Sequence, residues 1–361
     1  MNFLNIRSET MLGTSHSWAI TMRGLLSAFK NNGHNLYLKS INGRELLPKF
    51  LSEDIDKWHP APDLDIAYTL PINFNTRFDK RSKIKAAIYN YESSILPKEW
   101  LSETKNIDFI FPSSNWTREN FISNGWDYKK CITIPHGIDP SIFENKNYFL
   151  LKNNKKFKFL NISIPHYRKN INLILEAYYS AFKETDDVCL VIKTSLNKPK
   201  HKFECNFLEQ LTNAQKKFGK NLPTVEVVVD TLEDITPLYN SCDAVVSASS
   251  SEGFGLPLLE GLLLNKIVIS PRCTGQLDFL NNKNSLLVDV KQVEADERYQ
   301  YWRVNKGAKV YMPSVEHLSQ QMLNAYKNYN KLSQNLFLDN QILREKYTWN
   351  NAAKQIENLI K

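Results

Sequence analysis

Two successive series of short apolar runs alternating with amphipathic stretches, separated by an asparagine- and lysine-rich break, constrain this 361-residue chain more than any other feature. In the first series, residues 3–7, 36–39, 65–69, 85–89, 109–111 and 132–134 read as strands. Residues 17–31 read as a helix, with Ala19, Met22, Leu25, Leu26 and Phe29 at helical spacing and Gly33 as a stop signal; residues 116–124 read as another. In the second series, residues 157–163, 188–193, 225–229, 244–247 and 267–270 read as strands. Residues 171–182, 235–241, 256–264, 315–329 and 349–360 read as helices. Strand–helix alternation predicts parallel sheets covered by helices on both faces. The expected organisation is residues 1–140 as one Rossmann-like domain, 141–156 as a linker, 157–340 as a second such domain, and 341–361 as a final helix packing back toward the first. Ligands of such sheets bind at the carboxyl ends of the strands, and paired domains place a ligand between them.

Composition removes several alternatives. With 42% hydrophobic and 23% charged residues, general disorder is excluded. The net charge of +8 fits phosphorylated ligands or an anionic membrane surface, as well as a mildly basic soluble protein. Basic residues interleaved with aromatics are not concentrated enough to argue for nucleic acid. The 5 cysteines show no CxxC spacing and read as reduced thiols of a cytoplasmic protein. No signal peptide and no apolar run of spanning length is read in the sequence.

The most informative stretch runs from Ser251 to Gly261, Ser-Glu-Gly-Phe-Gly-Leu-Pro-Leu-Leu-Glu-Gly. A strand ends just before it, and a helix begins near Leu256 with Pro257 in its first turn. A glycine-rich loop at a helix N-terminus offers free N–H groups and a positive dipole end to a phosphate. Glu252 precedes the loop. Glu260 lies about two turns along an otherwise leucine-rich helix, where a carboxylate needs a hydroxyl or a cation. Two acids flanking a phosphate cradle suit a sugar on one side and a ribose on the other.

This stretch resembles the E-x7-E signature of retaining glycosyltransferases of the GT-B fold, family 4. The flanks Asp243 to Ser247 and Pro271 to Asp278 follow the same pattern, as do Phe111 to Thr117, read as a strand and a capped helix, and Pro135-His136-Gly137-Ile138-Asp139. The resemblance implies an α/β protein of two Rossmann-like domains facing across a cleft. It further implies sugar transfer from a UDP- or GDP-linked donor, with no required cofactor or metal. It places Glu252 beside the donor sugar and Glu260 on the ribose, with Gly253, Phe254, Gly255 and Leu256 lining the donor. Arg168-Lys169 resembles the basic pair on the diphosphate, although the separate arginine common upstream is missing from Ser163-Ile164-Pro165-His166. Cations are needed there because the leaving diphosphate gains charge. Gly13 lies in a loop similar to the family's glycine loop, with one glycine instead of two and His16 as a helix-start alternative. His136 and Gly137 are a cleft or hinge pair, His136 being read either as lining the cleft or as bonded to backbone.

Glu92, in Tyr89-Asn90-Tyr91-Glu92-Ser93, stands near where many relatives carry a histidine. Its readings are a sugar contact, a proton acceptor for the acceptor hydroxyl, or a strand-end cap. Asp63-Leu64-Asp65 matches a metal-binding D-x-D by spacing but suits a turn before a strand. The cluster Arg77, Lys80, Arg81, Lys83 and Lys85 is read as a solvated face or as a peripheral contact to an anionic bilayer or lipid-linked acceptor. A glycan, a lipid-linked sugar and a protein all remain open as acceptor. Two rivals share the fold: a sugar-nucleotide epimerase or hydrolase, and a non-catalytic nucleotide-sugar-binding subunit.

Overall fold

The computed structural model describes residues 3–299, 304–338 and 340–360. Contacts divide the chain into two units, Met1–Tyr91 with Leu96–Pro140 and Arg344–Lys361, and Glu92–Ile95 with Ser141–Leu343.

The first unit is built on five parallel strands, β1 (Asn5–Thr10), β2 (Asn35–Ser40), β3 (Leu64–Tyr68), β4 (Ile84–Ile88) and β5 (Phe109–Phe111), in the order β2-β1-β3-β4-β5. Every residue of β3 is buried, as both-face burial in a parallel sheet requires. The helix Ser17–Asn31 buries Ala19, Met22, Leu25, Leu26 and Phe29, and the chain leaves it through Gly33 at φ 90°. The C-terminal helix Trp349–Leu359 packs against this helix: a Cβ on Gly24 would lie 2.3 Å from the Trp349 ring. Glu357 accepts from Asn32 Nδ2 at 2.8 Å and pairs with His34 Nε2 at 3.1 Å.

The expected strand at 132–134 does not form beyond a single bridge, Ile110 to Cys131. Ile110 N bonds Lys130 O and Ile132 N bonds Ile110 O, but the next donor in that ladder falls at Pro112, which has no N–H. Asp63 accepts from Asn5 N at 2.9 Å and from Lys83 Nζ at 2.6 Å. The buried Asp65 accepts from Arg7 at 2.9 Å, Asp79 N at 2.7 Å and Ser82 at 3.2 Å. Both carboxylates of the D-x-D are therefore taken by protein donors. In the basic cluster, Arg77 pairs with Glu9, Arg81 with Asp79 and Lys83 with Asp63, which leaves it far less positive than its sequence reads.

The second unit holds six parallel strands, β6 (Phe157–Ile162), β7 (Val188–Lys193), β8 (Thr224–Val228), β9 (Ala244–Val246), β10 (Ile267–Pro271) and β11 (Leu286–Val288), ordered β11-β10-β9-β6-β7-β8. An antiparallel pair, β12 (Val290–Glu294) and β13 (Lys309–Pro313), is added. The core unites Phe157, Phe159, Leu190, Ile192, Ala244, Val246, Ile267 and Ile269 of the sheet with Ile174, Tyr178, Leu318 and Met322 of the helices. Residues 141–156, expected as a linker, are tied to this unit: Phe149 N donates to Ser241 Oγ (2.8 Å), and Lys152 N and Asn153 N donate to Glu226 (2.7 and 3.0 Å). Eight asparagine and lysine residues in this stretch looked like linker composition, yet three of its backbone amides find fixed acceptors. No helix among the described residues is long and apolar enough to cross a membrane.

Strand order reverses between β6 and β9, because β7 and β8 lie to one side of β6 and β9, β10 and β11 to the other. The loops leaving β6 and β9 part there and open a crevice, the usual ligand position of an open α/β sheet.

Candidate active site

The loop leaving β6 passes through one tight turn, Tyr167–Lys169, and reaches Asn170 at φ 49°, which caps the helix Ile171–Ala181. The loop leaving β9 is Ser247 to Gly255, and it runs into the helix Leu256–Leu263. The two loops are stitched together: Asn170 Nδ2 donates to Ala248 O at 2.9 Å and Ser250 N to Arg168 O at 2.9 Å. A third loop, after β10, holds the backbone of Glu252. Thr274 Oγ1 accepts from Glu252 N at 2.9 Å, and Gly275 N donates to Glu252 O at 2.9 Å. Thr274 does this at φ 55°, a strained conformation for a β-branched residue.

These loops bring Glu252, Lys169 and Arg168 together. Lys169 Nζ lies 2.5 Å from Glu252 Oε1, and Arg168 Nη1 lies 3.2 Å from Glu252 Oε2. Arg168 also donates to Ser249 Oγ at 3.3 Å and to the Ser251 carbonyl oxygen. Its Nη2 reaches Glu92 Oε1 at 3.3 Å. Burial pushes the Glu252 carboxyl up, but Lys169 and Arg168 outweigh it and hold its pKa at about 2, so Glu252 is an anion. Burial pulls the Lys169 ammonium below the usual lysine range, against the opposing pull of Glu252. Burial raises Glu92 above the usual carboxylate range despite Arg168, and the Glu252 charge adds to the rise. Asn161, Ser163, Lys169, Ser247, Glu252, Gly255 and Pro257 line an open recess of about 340 Å³ at the ends of β6 and β9.

Gly255 takes φ 95° at the start of the Leu256 helix, a backbone conformation that disfavours a side chain. Leu256 opens the helix as a buried residue, and Gly253 and Phe254 are buried in the loop, the Phe254 ring lying 5.2 Å from that of Phe279. The helix sits close on β9 because a Cβ on Gly261 would lie 2.6 Å from Val245 Cγ2. Further along it, Glu260 accepts from the Tyr239 hydroxyl at 2.6 Å. Burial lifts the Glu260 pKa to about 7; the Tyr239 bond lowers it and the Asp234 charge raises it.

Gly13, His16, His136 and Gly137 belong to the first unit. A Cβ on Gly13 would lie 2.3 Å from the Gly43 carbonyl carbon, and one on Gly137 would lie 2.1 Å from Trp349 N, so close packing demands both glycines. His16 caps the Ser17 helix, its Nδ1 accepting from Trp18 N at 3.2 Å. His136 is buried between the rings of Tyr68 and Trp349, and burial drops its pKa to about 3, so it is neutral. Sequence reasoning missed Asn170, Ser249, Thr274 and Tyr239. Two of them carried a signal: Asn170 directly follows the basic pair, and Thr274 lies in the stretch flanking the acidic motif.

The family described as glycosyl transferases group 1 matches residues 143–299, within the second unit. That stretch is similar to a group 1 glycosyl transferase domain. The fold of the chain is GT-B: an Anabaena HepE structure with UDP and glucose superposes with a TM-score of 0.73 at 12% identity, covering 99% of each chain. A glycosyltransferase from Rickettsia africae gives 0.72 at 14% identity, covering 100% of this chain and 98% of that one. In sequence, the chain is 25% identical over 304 residues to the "Probable sucrose-phosphate synthase" of Thermosipho melanesiensis, covering 78% of this chain and 61% of that protein. It spans about three fifths of the length of the curated relatives that it matches. Both loops of the Lys169–Glu252 cluster fall inside the group 1 match.

Proposed function

We propose that this chain is a retaining glycosyltransferase that moves a sugar from a UDP- or GDP-linked donor to an acceptor hydroxyl of a glycan, a lipid-linked sugar or a protein. The observation that carries the reading is the convergence of Lys169, Arg168 and Glu252 at the switch point between β6 and β9, beside the N-terminus of the Leu256 helix. Two cations beside the positive end of a helix suit a diphosphate, and they stabilise the charge it gains as the glycosidic bond breaks. Glu260 would take the ribose hydroxyls. The HepE structure holds UDP and glucose, which makes UDP-sugars the first donors to try.

Glu252 is already neutralised by two cations, which makes it a poor nucleophile. That favours a front-face path, in which the departing phosphate oxygen helps to take the acceptor proton while Lys169 and Arg168 hold the phosphate. Glu92, with its raised affinity for a proton, is the protein group suited to assist. No step calls on a metal or a further cofactor. Gly13 and Gly137 of the first unit are read as shaping loops, a reading that their close packing supports, and His136 as a neutral ring packed beside Tyr68 and Trp349.

The test is nucleoside diphosphate release from a panel of UDP- and GDP-sugars, with and without glucose, glycan and lipid-linked acceptors, and proton NMR of the anomeric product. Acceptor-dependent release with an unchanged anomeric configuration is expected. Release at the same rate without acceptor would favour the hydrolase reading, and binding without turnover the non-catalytic one. An inverted product would overturn retention.

A further inference from the structure

The Tyr239 hydroxyl lies 2.6 Å from Glu260 Oε2 and 3.1 Å from the Pro257 carbonyl oxygen. A phenol has one proton, and the shorter contact, to a carboxylate, is the stronger claim on it. The ring is 1% exposed, in the core beneath the helix Thr236–Asn240, so its hydroxyl has one aim. Among the described residues no other side-chain or backbone donor reaches the Glu260 carboxylate. One of its oxygens is therefore fixed and the other is left open.

We propose that Tyr239 is a positioning residue for the donor ribose: it holds Oε2 of Glu260 and thereby turns Oε1 toward the sugar hydroxyls. The proposal rests on the reading of Glu260 as the ribose contact.

The surrounding charges explain why such a residue is needed. Asp234, in the loop ahead of the Thr236 helix, is kept ionised, its burial outweighed by Thr236 and by Asn145, whose Nδ2 is 2.6 Å away. Its charge opposes that of Glu260. Lys266, past the end of the Leu256 helix, is directed to the Asn240 carbonyl oxygen at 3.5 Å and to Asp243. The other residues of the Leu256 helix are leucines, Pro257 and Gly261, none of them charged. Tyr239 is thus the group that favours the ionised form of Glu260, and its own proton is secure because burial and Glu260 raise its pKa well above the tyrosine range. The ionised form matters because a ribose diol presents two O–H donors. A carboxylate accepts both, whereas a protonated carboxyl must spend one position as a donor.

The experiment titrates full-length wild type, Tyr239→Phe and Glu260→Gln with UDP-glucose and GDP-mannose by calorimetry from pH 5.5 to 9.5. The diphosphate of a sugar nucleotide has no proton to lose in this range. Wild-type affinity should rise as pH passes about 7, the Glu260 midpoint. In Tyr239→Phe the midpoint should move up by about one to two pH units, the worth of one hydrogen bond to a charged group, with affinity largely recovered at the alkaline end. Glu260→Gln should bind weakly and without that pH dependence. An unmoved midpoint in Tyr239→Phe, with affinity lowered evenly or unchanged, overturns the positioning role. Wild-type affinity in Glu260→Gln overturns the ribose reading itself, as does a wild type that binds neither nucleotide sugar.

Discussion

Lys169 Nζ and Glu252 Oε1 stand 2.5 Å apart across 83 residues of sequence, with Arg168 on the other oxygen of the same carboxylate. The pair joins the loop leaving β6 to the loop leaving β9, so it is a clamp across the switch point as well as a store of charge. Removing one member of such a buried pair is strongly destabilising because the remaining charge loses compensation, Glu252 here being left with Arg168 alone. Lys169→Met should therefore lower unfolding free energy by about 3 kcal/mol, and turnover by about 10²-fold through the lost diphosphate cation. In Lys169→Met/Glu252→Gln the stability should largely return while turnover stays lost. Denaturant melts and nucleotide release on the single and double variants separate the two effects; a double variant as unstable as the single one would show that the pair is not the clamp.

Glu260 makes a second, opposite prediction. Its pKa rises from an ordinary 4.5 to about 7 on folding. Below pH 4.5 the group is protonated in both states and folding is indifferent to it. As pH rises toward 7 the unfolded chain releases the proton first, so stability is lost across that window and the loss is complete above it. Glu260→Gln should match wild type near pH 4 and exceed it by about 1–2 kcal/mol at pH 8, a figure discounted for the group's partial exposure. Thermal melts at the two pH values check it, and a variant equally destabilised at both would contradict the assignment. A site residue that costs stability and serves binding is the expected trade.

Glu92 separates chemistry from placement. If it assists proton removal from the acceptor, Glu92→Gln should lower kcat by about 10²-fold with the donor KM nearly unchanged. A change confined to donor KM would instead assign Glu92 to holding Arg168, which it reaches at 3.3 Å. Initial rates over a grid of donor and acceptor concentrations give both constants.

The strands were legible because buried parallel strands are written as continuous apolar runs, as at Val188–Lys193 and Phe109–Phe111. The helix Phe207–Phe218 went unread because, of its apolar residues, only Phe207 and Ala214 are buried; its signal was the cap, Asn206 accepting from Glu209 N. The 132–134 run failed for the opposite reason, good composition beside a proline that cannot donate. In the site, Glu252, Glu260 and Lys169 were visible from residue type next to a strand end. Tyr239 was not, because a tyrosine in a short helix looks the same whether its hydroxyl meets solvent or a carboxylate. The pairing of Lys169 with Glu252 was equally hidden, since sequence spacing says nothing about which loops a strand order brings together.

Gly24 tests the first unit through the sign of one substitution. Glycine inside a helix ordinarily costs about 1 kcal/mol relative to alanine, so Gly→Ala is usually stabilising. Here the new Cβ would lie 2.3 Å from both Cε2 and Nε1 of Trp349, the first residue of the C-terminal helix. The indole is 9% exposed and held beside His136, with a ring-centroid distance of 5.8 Å, so it cannot swing away without loss. Overpacking of this kind costs about 1–3 kcal/mol and should outweigh the helix gain. Gly24→Ala is therefore expected to destabilise, and the loss should shrink in Gly24→Ala/Trp349→Leu, where the ring that meets the methyl group is gone. Urea melts of the three proteins decide it. A Gly24→Ala variant more stable than wild type would mean that the C-terminal helix does not press on the Ser17 helix in the way described.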